Sequence, residues 1–313
     1  MLEEATEFVL DATSPVAIFG MGVSGRGAAA LLDKHGFSWV GYDSNSAYTS
    51  WKKEYAGTHR QVVVSPGFAA NHPWISDAQS AGLELFSEID LAARFWPGRL
   101  VGVTGTNGKT TLTAFLAQVF ECAGFESIAV GNIGSSFAGV LARREFSNQA
   151  VAVCEVSSFQ AEQTRSVCWD GLIWTNFAED HLERHQSIED YFLAKARLLK
   201  QVSAGAPIVF GKSVSEAAQR FEVILPSSSF NGDFDVGDPI PTGFQSVPQA
   251  KNFRQACVFW RLWGGEMEAV EDAAEVFEMP PHRLEKISVD AEGLNFWDDS
   301  KATNFAATLA AIE

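Results

Sequence analysis

The chain is poor in positive charge. Its 313 residues include 23 Lys and Arg against 39 Asp and Glu, a formal net charge of −16. Nucleic-acid binders neutralise phosphates with clustered basic side chains, so this balance argues against a general nucleic-acid partner. It argues equally against an anionic membrane surface. Cysteine is scarce as well: Cys122, Cys154, Cys168 and Cys257. None forms a CxxC pair and two lie in apolar runs, which excludes an obvious disulfide or thiolate-metal framework and fits a reducing cytoplasm. No apolar run approaches the roughly 18 residues that a transmembrane helix needs. The opening MLEEATEFVLDATSP is acidic and lacks the apolar centre of a signal peptide. Internal repeats and low-complexity tracts are also missing.

What is present is ordinary globular material, 46% hydrophobic and 20% charged. At about 150 residues per domain, the length suggests roughly two domains. Strand and helix signals alternate along the first hundred residues: strands at Val16–Gly20, Ser38–Tyr42, Gln61–Ser65 and Leu83–Phe86, helices over 25–36 and 73–81. Phe95-Trp96-Pro97-Gly98 breaks the pattern. A second alternation follows, with strands at Leu100–Gly105, Ile128–Val130, Ala150–Val156, Gly171–Asn176 and Pro207–Gly211. Its helices fall at 109–123, 187–203, 250–263 and 268–278. Residues 226–248 read as loop. Leu294–Trp297 reads as a last strand and 303–313 as the start of a helix. The expected fold is α/β: a Rossmann-like parallel-sheet domain over 1–96, a phosphate-loop-type central α/β domain over 97–282, and the beginning of a third domain over 283–313.

The sharpest motif is Gly105-Thr106-Asn107-Gly108-Lys109-Thr110-Thr111, between an apolar strand and a helix. Such a loop aims backbone N–H groups and a helix N-terminus at a phosphate chain. Lys109 would reach the β- and γ-phosphates, and the Thr110 hydroxyl would ligate Mg²⁺. Val103 stands where the usual loop has a further glycine, and a plain strand-to-helix turn is the competing reading. Gly20-Met21-Gly22-Val23-Ser24-Gly25, with Asp43 after the next strand, is a GxGxxG that suits a dinucleotide, a sugar nucleotide or merely close helix packing. Glu155, in EVSSFQ at a strand's carboxyl end, needs a counter-charge: Mg²⁺ with a nucleotide, or a neighbouring Lys or Arg. His181, in TNFAEDH, falls on the same edge. Lys195, in FLAKARLL, is either a snorkelling surface residue or, if buried, a neutral and reactive amine.

Together these motifs resemble the Mur ligases of peptidoglycan synthesis, over nearly the whole chain. GTNGKTT and Gly131–Gly134 (GNIG) are family-wide features. EVSSFQ at 155–160 and DSKATN at 299–304 resemble the D-glutamate-adding branch. Ser65-Pro66-Gly67, Glu179-Asp180-His181 and His282-Arg283 match in order and spacing. The resemblance implies an ATP-dependent amide-forming ligase acting on UDP-N-acetylmuramoyl-L-alanine and D-glutamate, cytoplasmic, bacterial and monomeric. It implies that Val23, Ser24, Asp43, Ser65 and Gly67 bind the UDP part, with Asn132, Ser157 and Thr303 as further substrate contacts. Gly105 to Thr111, Gln255, Arg283, Asp299 and Lys301 are implied for ATP. Two Mg²⁺ ions are implied, held by Thr110, Glu155, His181 and Lys195, the lysine carrying a CO₂-derived carbamate; Lys109, His181 and Lys195 are the implied catalytic residues. Lys251-Asn252-Phe253-Arg254-Gln255 departs from the family's His-Asn-x-x-Asn, and Ser44-Asn45 lacks the basic residue that often follows the uracil-contacting Asp. The family's third domain binds D-glutamate and closes over ATP, and this chain stops near its start, so the 313 residues alone are expected to bind the precursor, to bind ATP more weakly and to form no amide. Two other readings stay open: a non-catalytic nucleotide-binding fragment of such a ligase, and an NAD-dependent oxidoreductase, which leaves the second phosphate loop unexplained.

Overall fold

A computed structural model describes residues 9–45, 47–233, 239–283, 285–289, 295–302, 304–305 and 308–309. Thr303, Leu294 and most of the expected terminal helix lie outside the described residues.

Strands β1 (Val16–Phe19), β2 (Trp39–Tyr42), β3 (Gln61–Val64) and β4 (Glu84–Ser87) form a parallel sheet in the order β2-β1-β3-β4. Helices α1 (Val23–Lys34), α2 (Pro73–Ser80) and α3 (Glu88–Phe95) cover it. The strand period of two explains why both faces are apolar. Ala17, Phe19, Val62 and Val64 pack with Tyr42 and Trp51 on one face. Val16, Ile18 and Val63 pack with Ala28, Leu31 and Leu32 of α1 on the other.

The second sheet is also parallel. It is built from β5 (Arg99–Thr104), β6 (Ser127–Gly131), β7 (Val151–Glu155), β8 (Gly171–Trp174), β9 (Ile208–Phe210) and β10 (Ser229–Asn231), in the order β10-β9-β8-β5-β7-β6. Its helices are α4 (Lys109–Cys122), α5 (Phe137–Arg143), α6 (Ser158–Gln163), α7 (Ile188–Ala196), α8 (Lys212–Arg220), α9 (Val247–Trp263) and α10 (Glu268–Val276). Val101, Val103, Val151, Val153 and Ile173 pack against α4 and α9. Leu100, Ala152, Cys154 and Leu172 face the other way, into the cluster that also holds α1 and α3. One apolar cluster therefore joins the two sheets. An antiparallel hairpin of β11 (Glu285–Val289) and β12 (Asn295–Asp298) follows. Among the described residues no helix is long and apolar enough to cross a membrane.

The strand order reverses at β1 in the first sheet and at β5 in the second. Ligand crevices of open parallel sheets form at such points, outside the carboxyl ends of the strands. The local differences from the sequence reading have simple causes. The sequence reading lacks helices α3, α5, α6 and α8, which are 8, 7, 6 and 9 residues long; α5 and α6, at two turns or fewer, are too short to show a period. Two of the four are fixed by capping boxes, Ser87 with Asp90 and Ser157 with Gln160. The helix expected over 187–203 is α7 followed by a 3₁₀ segment at Arg197–Gln201.

Candidate nucleotide and metal site

The loop after β5 is held open by glycines that cannot be replaced. Gly105 has φ 147°, and a Cβ there would lie 1.9 Å from Thr175 Oγ1. Gly108 has φ 81°, and its Cβ would lie 2.4 Å from Asn252 Oδ1. The backbone between them is braced from the neighbouring strand. Asn107 N donates to Asn176 Oδ1 (2.9 Å), and Asn107 O accepts from Thr175 Oγ1 (2.7 Å) and Asn176 Nδ2 (2.9 Å). Thr106 Oγ1 accepts from the buried Tyr191 hydroxyl at 3.2 Å. Lys109, first residue of α4, folds back so that Nζ donates to Thr106 O (2.7 Å) and Gly105 O (3.1 Å). A bound phosphate would replace these carbonyls as acceptors of the Nζ hydrogen bonds.

Lys195 is buried, with 1% of its surface exposed, and is not a snorkelling residue. Its Nζ donates to the same Gly105 O at 2.8 Å and lies 4.8 Å from the centre of the Tyr191 ring. Burial, and then the charge of Lys109, push its pKa well below the ordinary lysine value. Burial lowers that of Lys109 too, opposed by Glu155 and Asp180. Glu155 ends β7 and is 2% exposed. Its Oε1 accepts from Asn132 Nδ2 at 2.9 Å, while Oε2 is buried with no hydrogen-bond partner among the described residues. A buried carboxylate oxygen left in this state suits a cation.

His181 has φ 54°, and its ring is about one-third exposed. Nε2 lies 3.6 Å from Asp180 Oδ2 and Nδ1 lies 3.4 Å from Glu183 Oε1. The segment after α10 crosses this edge. Arg283 donates to Thr110 Oγ1 at 2.8 Å. Asn304 and Asn107 exchange a reciprocal pair of amide hydrogen bonds at 3.0 and 3.2 Å, and Asn304 Nδ2 also donates to Asp180 Oδ2 at 2.9 Å. His282 Nδ1 pairs with Asp298 Oδ2 across the base of the hairpin. A cavity of about 260 Å³ opens beside the loop, lined by Asn252, Gln255, Arg283, Asp299 and Lys301 among others. Gln255 spends its Nε2 on Thr175 O and Asp233 Oδ1, both at 2.8 Å. Its buried Oε1 has no partner among the described residues, so the amide would receive a base's N–H rather than donate to it.

At the first sheet, Asp43 Oδ2 accepts from Met21 N at 2.6 Å and Oδ1 accepts from Asn45 N at 2.9 Å. These bonds hold the carboxyl below its usual range. Val23 is exposed, Ser24 half-buried and Gly67 exposed, at the carboxyl ends of β1 and β3. A Cβ at Gly25 would lie 1.8 Å from Gly20 O, so the last glycine of the motif does serve helix packing. Ser65 turns inward, donating to Gly20 O at 2.8 Å. Ser157 gives its hydroxyl to the α6 capping box with Gln160. Both hydroxyls are engaged within the protein.

The structure thus gathers Gly105 to Thr111, Glu155, Asn132, Lys195, Arg283 and the 180–181 turn on one edge, and sets Val23, Ser24, Asp43, Ser65 and Gly67 on the other sheet's edge. Sequence reasoning missed Asn176, Tyr191, Asn304 and Arg184. The strand-end position of Asn176 and the carboxylate–His–Arg run containing Arg184 were the available signals.

The folds and loops define a phosphate-loop α/β protein with a second Rossmann-like sheet. Residues 103–226 match the Mur ligase middle domain. The UDP-N-acetylmuramoylalanine–D-glutamate ligase of Synechococcus sp. (strain JA-3-3Ab) is 32% identical over 94% of this chain and 73% of its own length. The enzyme of that name from Nostoc sp. (strain PCC 7120) is 32% identical over 94% and 72%. In fold, the UDP-N-acetylmuramate:L-alanyl-γ-D-glutamyl-meso-diaminopimelate ligase of Neisseria meningitides aligns with TM-score 0.60 at 16% identity, covering 86% of this chain and 99% of that one. The MurF ligase of Thermotoga maritima in complex with ADP aligns at 0.55 and 16% identity, covering 82% and 72%. The chain belongs to the Mur ligase family, alongside the UDP-N-acetylmuramoylalanine–D-glutamate ligases.

Proposed function

We propose that this protein joins D-glutamate to UDP-N-acetylmuramoyl-L-alanine with ATP, making a peptidoglycan precursor as a cytoplasmic bacterial monomer. One observation carries the reading: a phosphate loop with Lys109 and Thr110 shares a sheet edge with a buried, half-partnered Glu155 and a buried Lys195. The likeness to ligases of that name over 94% of the chain supports the substrates. In this reading residues 1–96 take the UDP part, 97–282 take ATP, and 283–313 begin the third domain.

The reaction has to bring two anions together. The precursor's carboxylate oxygen bonds to the γ-phosphorus and ADP leaves. The amine of D-glutamate then bonds to the carbonyl carbon, phosphate leaves and the amine loses a proton. Lys109 releases the Gly105 and Thr106 carbonyls and donates to the phosphates, and the N-terminus of α4 faces the same charge. Arg283, on Thr110, adds a second positive charge, borne by a guanidinium. Magnesium would supply neutralisation of the phosphate charge; Thr110 Oγ1 and Glu155 Oε2 fit it, with His181 at the second position. Lys195 as an ammonium would repel a metal. Its depressed basicity favours the neutral amine, which can add CO₂, lose a proton and become an anionic ligand. Gln255 Oε1 would accept from the adenine amine.

The test is a complete reaction in which this chain is joined to the D-glutamate-binding third domain that its family resemblance implies: protein, ATP, Mg²⁺, precursor and D-glutamate. ADP and UDP-N-acetylmuramoyl-L-alanyl-D-glutamate should appear in equal amounts, and omission of any component should stop both. Nucleotide and precursor binding with no turnover would contradict the ligase reading and favour a binding module.

A further inference from the structure

The substrate turn of the first sheet is held by the second. Arg184 lies after β8, in the turn that begins at His181. Its guanidinium donates to three successive carbonyls of the turn after β3: Pro66 O at 3.4 Å, Gly67 O at 3.3 Å, and Phe68 O. Gln163 of α6 adds a bond to Phe68 O at 3.0 Å. The guanidinium also lies 4.8 Å from the centre of the Phe159 ring, on α6, and 3.8 Å from Glu162. Arg184 is 16% exposed in its side chain; its bonds to Pro66 O and Phe68 O are partly buried, while the one to Gly67 O faces water.

The base from which Arg184 reaches is rigid. His181 O accepts from both Arg184 N and His185 N at 3.0 Å. The buried His185 ring bonds Ser158 Oγ at 3.0 Å, pinning the turn to α6. Within its own sheet the turn is held at its two ends: Phe68 N donates to Ser65 O at 3.1 Å, and the Phe68 ring packs on Phe19, His72 and Trp74, which leaves the Pro66 and Gly67 carbonyls to Arg184. Ser65 Oγ anchors the start on Gly20, and Gly67 is exposed with open space where a Cβ would be.

We propose that Arg184 is a positioning residue for the UDP precursor: it does not touch the ligand, but sets the Pro66–Phe68 turn at the height where the ligand meets it. Planarity and five donors let one guanidinium hold several carbonyls at once, which an ammonium does less well. The inference rests on the reading that the Ser65–Gly67 turn contacts the precursor.

The test is titration of the protein with UDP-N-acetylmuramoyl-L-alanine and, separately, with Mg²⁺ and a non-hydrolysable ATP analogue. Arg184→Met should weaken the precursor about tenfold, corresponding to ~1.4 kcal/mol. The nucleotide affinity should stay within about twofold, and Arg184→Lys should recover part of the loss. Gly67→Val tests the underlying reading, because a Cβ at this position meets nothing within 4 Å. Gly67→Val should also weaken the precursor alone. If Gly67→Val weakens it and Arg184→Met does not, the positioning role is wrong and the reading of the turn survives. If neither substitution matters, the turn is not a precursor contact and both fail. Parallel loss of precursor and nucleotide in Arg184→Met would mark a general structural role and overturn the proposal.

Discussion

Lys195 stands out among the charged side chains because its amine is buried against a backbone carbonyl that Lys109 also uses. Its folded pKa lies below the unfolded value, so between those two values the unfolded chain binds more protons. Stability therefore rises with pH across that window. Lys195→Met should raise the melting temperature at pH 7, and the advantage over the parent should shrink as pH climbs toward 10. Thermal melts of both proteins at several pH values check this; an equal gap at every pH contradicts it. The same substitution should abolish ligase activity if the lysine serves the metal. Lys109→Ala should leave the fold intact and cut ATP-dependent turnover by about 10² to 10³, the usual effect of losing one positioned donor to developing charge. Phosphate-release assays on the chain joined to the third domain measure that directly. Neither residue's state was legible in sequence. FLAKARLL allows a helix with its lysine outward or inward, and only the packing of Tyr191 and the Gly105 carbonyl decides the matter.

The elements that carry the loops were readable; those that seal the seam were not. Strands β1, β3, β5 and β7 are apolar runs ending in glycine, proline or a carboxylate, and they mark the ligand edges. The seam between the sheets is made by short helices α3 and α5 packing with α1, and the two-turn α5 is too short to show a period. Glu88 opens α3 there, fully buried, its Oε1 accepting from Ala138 N in α5. Burial raises its pKa to about 7, against the opposing effect of that bond. From pH about 4.5 to about 7 the native state keeps a proton that the unfolded chain has lost. Stability therefore falls as pH rises through this window, by roughly 3 kcal/mol at about 1.4 kcal/mol per unit. Glu88→Gln keeps the acceptor oxygen and should flatten the slope. Urea unfolding at pH 5 and pH 8 tests it: a slope unchanged in the variant would assign the effect to other groups.

On the scale of the whole molecule, two parallel sheets place two ligand edges beside one another, joined by a common apolar cluster and by Arg184. Both phosphate-type motifs were visible in the sequence because glycine spacing after a strand has a backbone cause. The cross-links between the edges were not, because Arg184 and Asn304 bond to groups more than a hundred residues away in the chain. The central claim is that the first edge takes the UDP precursor and the second takes ATP, independently addressable within one protein. Calorimetric titration of UDP-N-acetylmuramoyl-L-alanine into the parent protein, Lys109→Ala and Asp43→Ala tests it most directly. The parent and Lys109→Ala should bind one equivalent with similar affinity, while Asp43→Ala should bind at least tenfold more weakly. Binding of NADH in place of the precursor, or loss of precursor binding in Lys109→Ala with Asp43→Ala unaffected, would contradict the account.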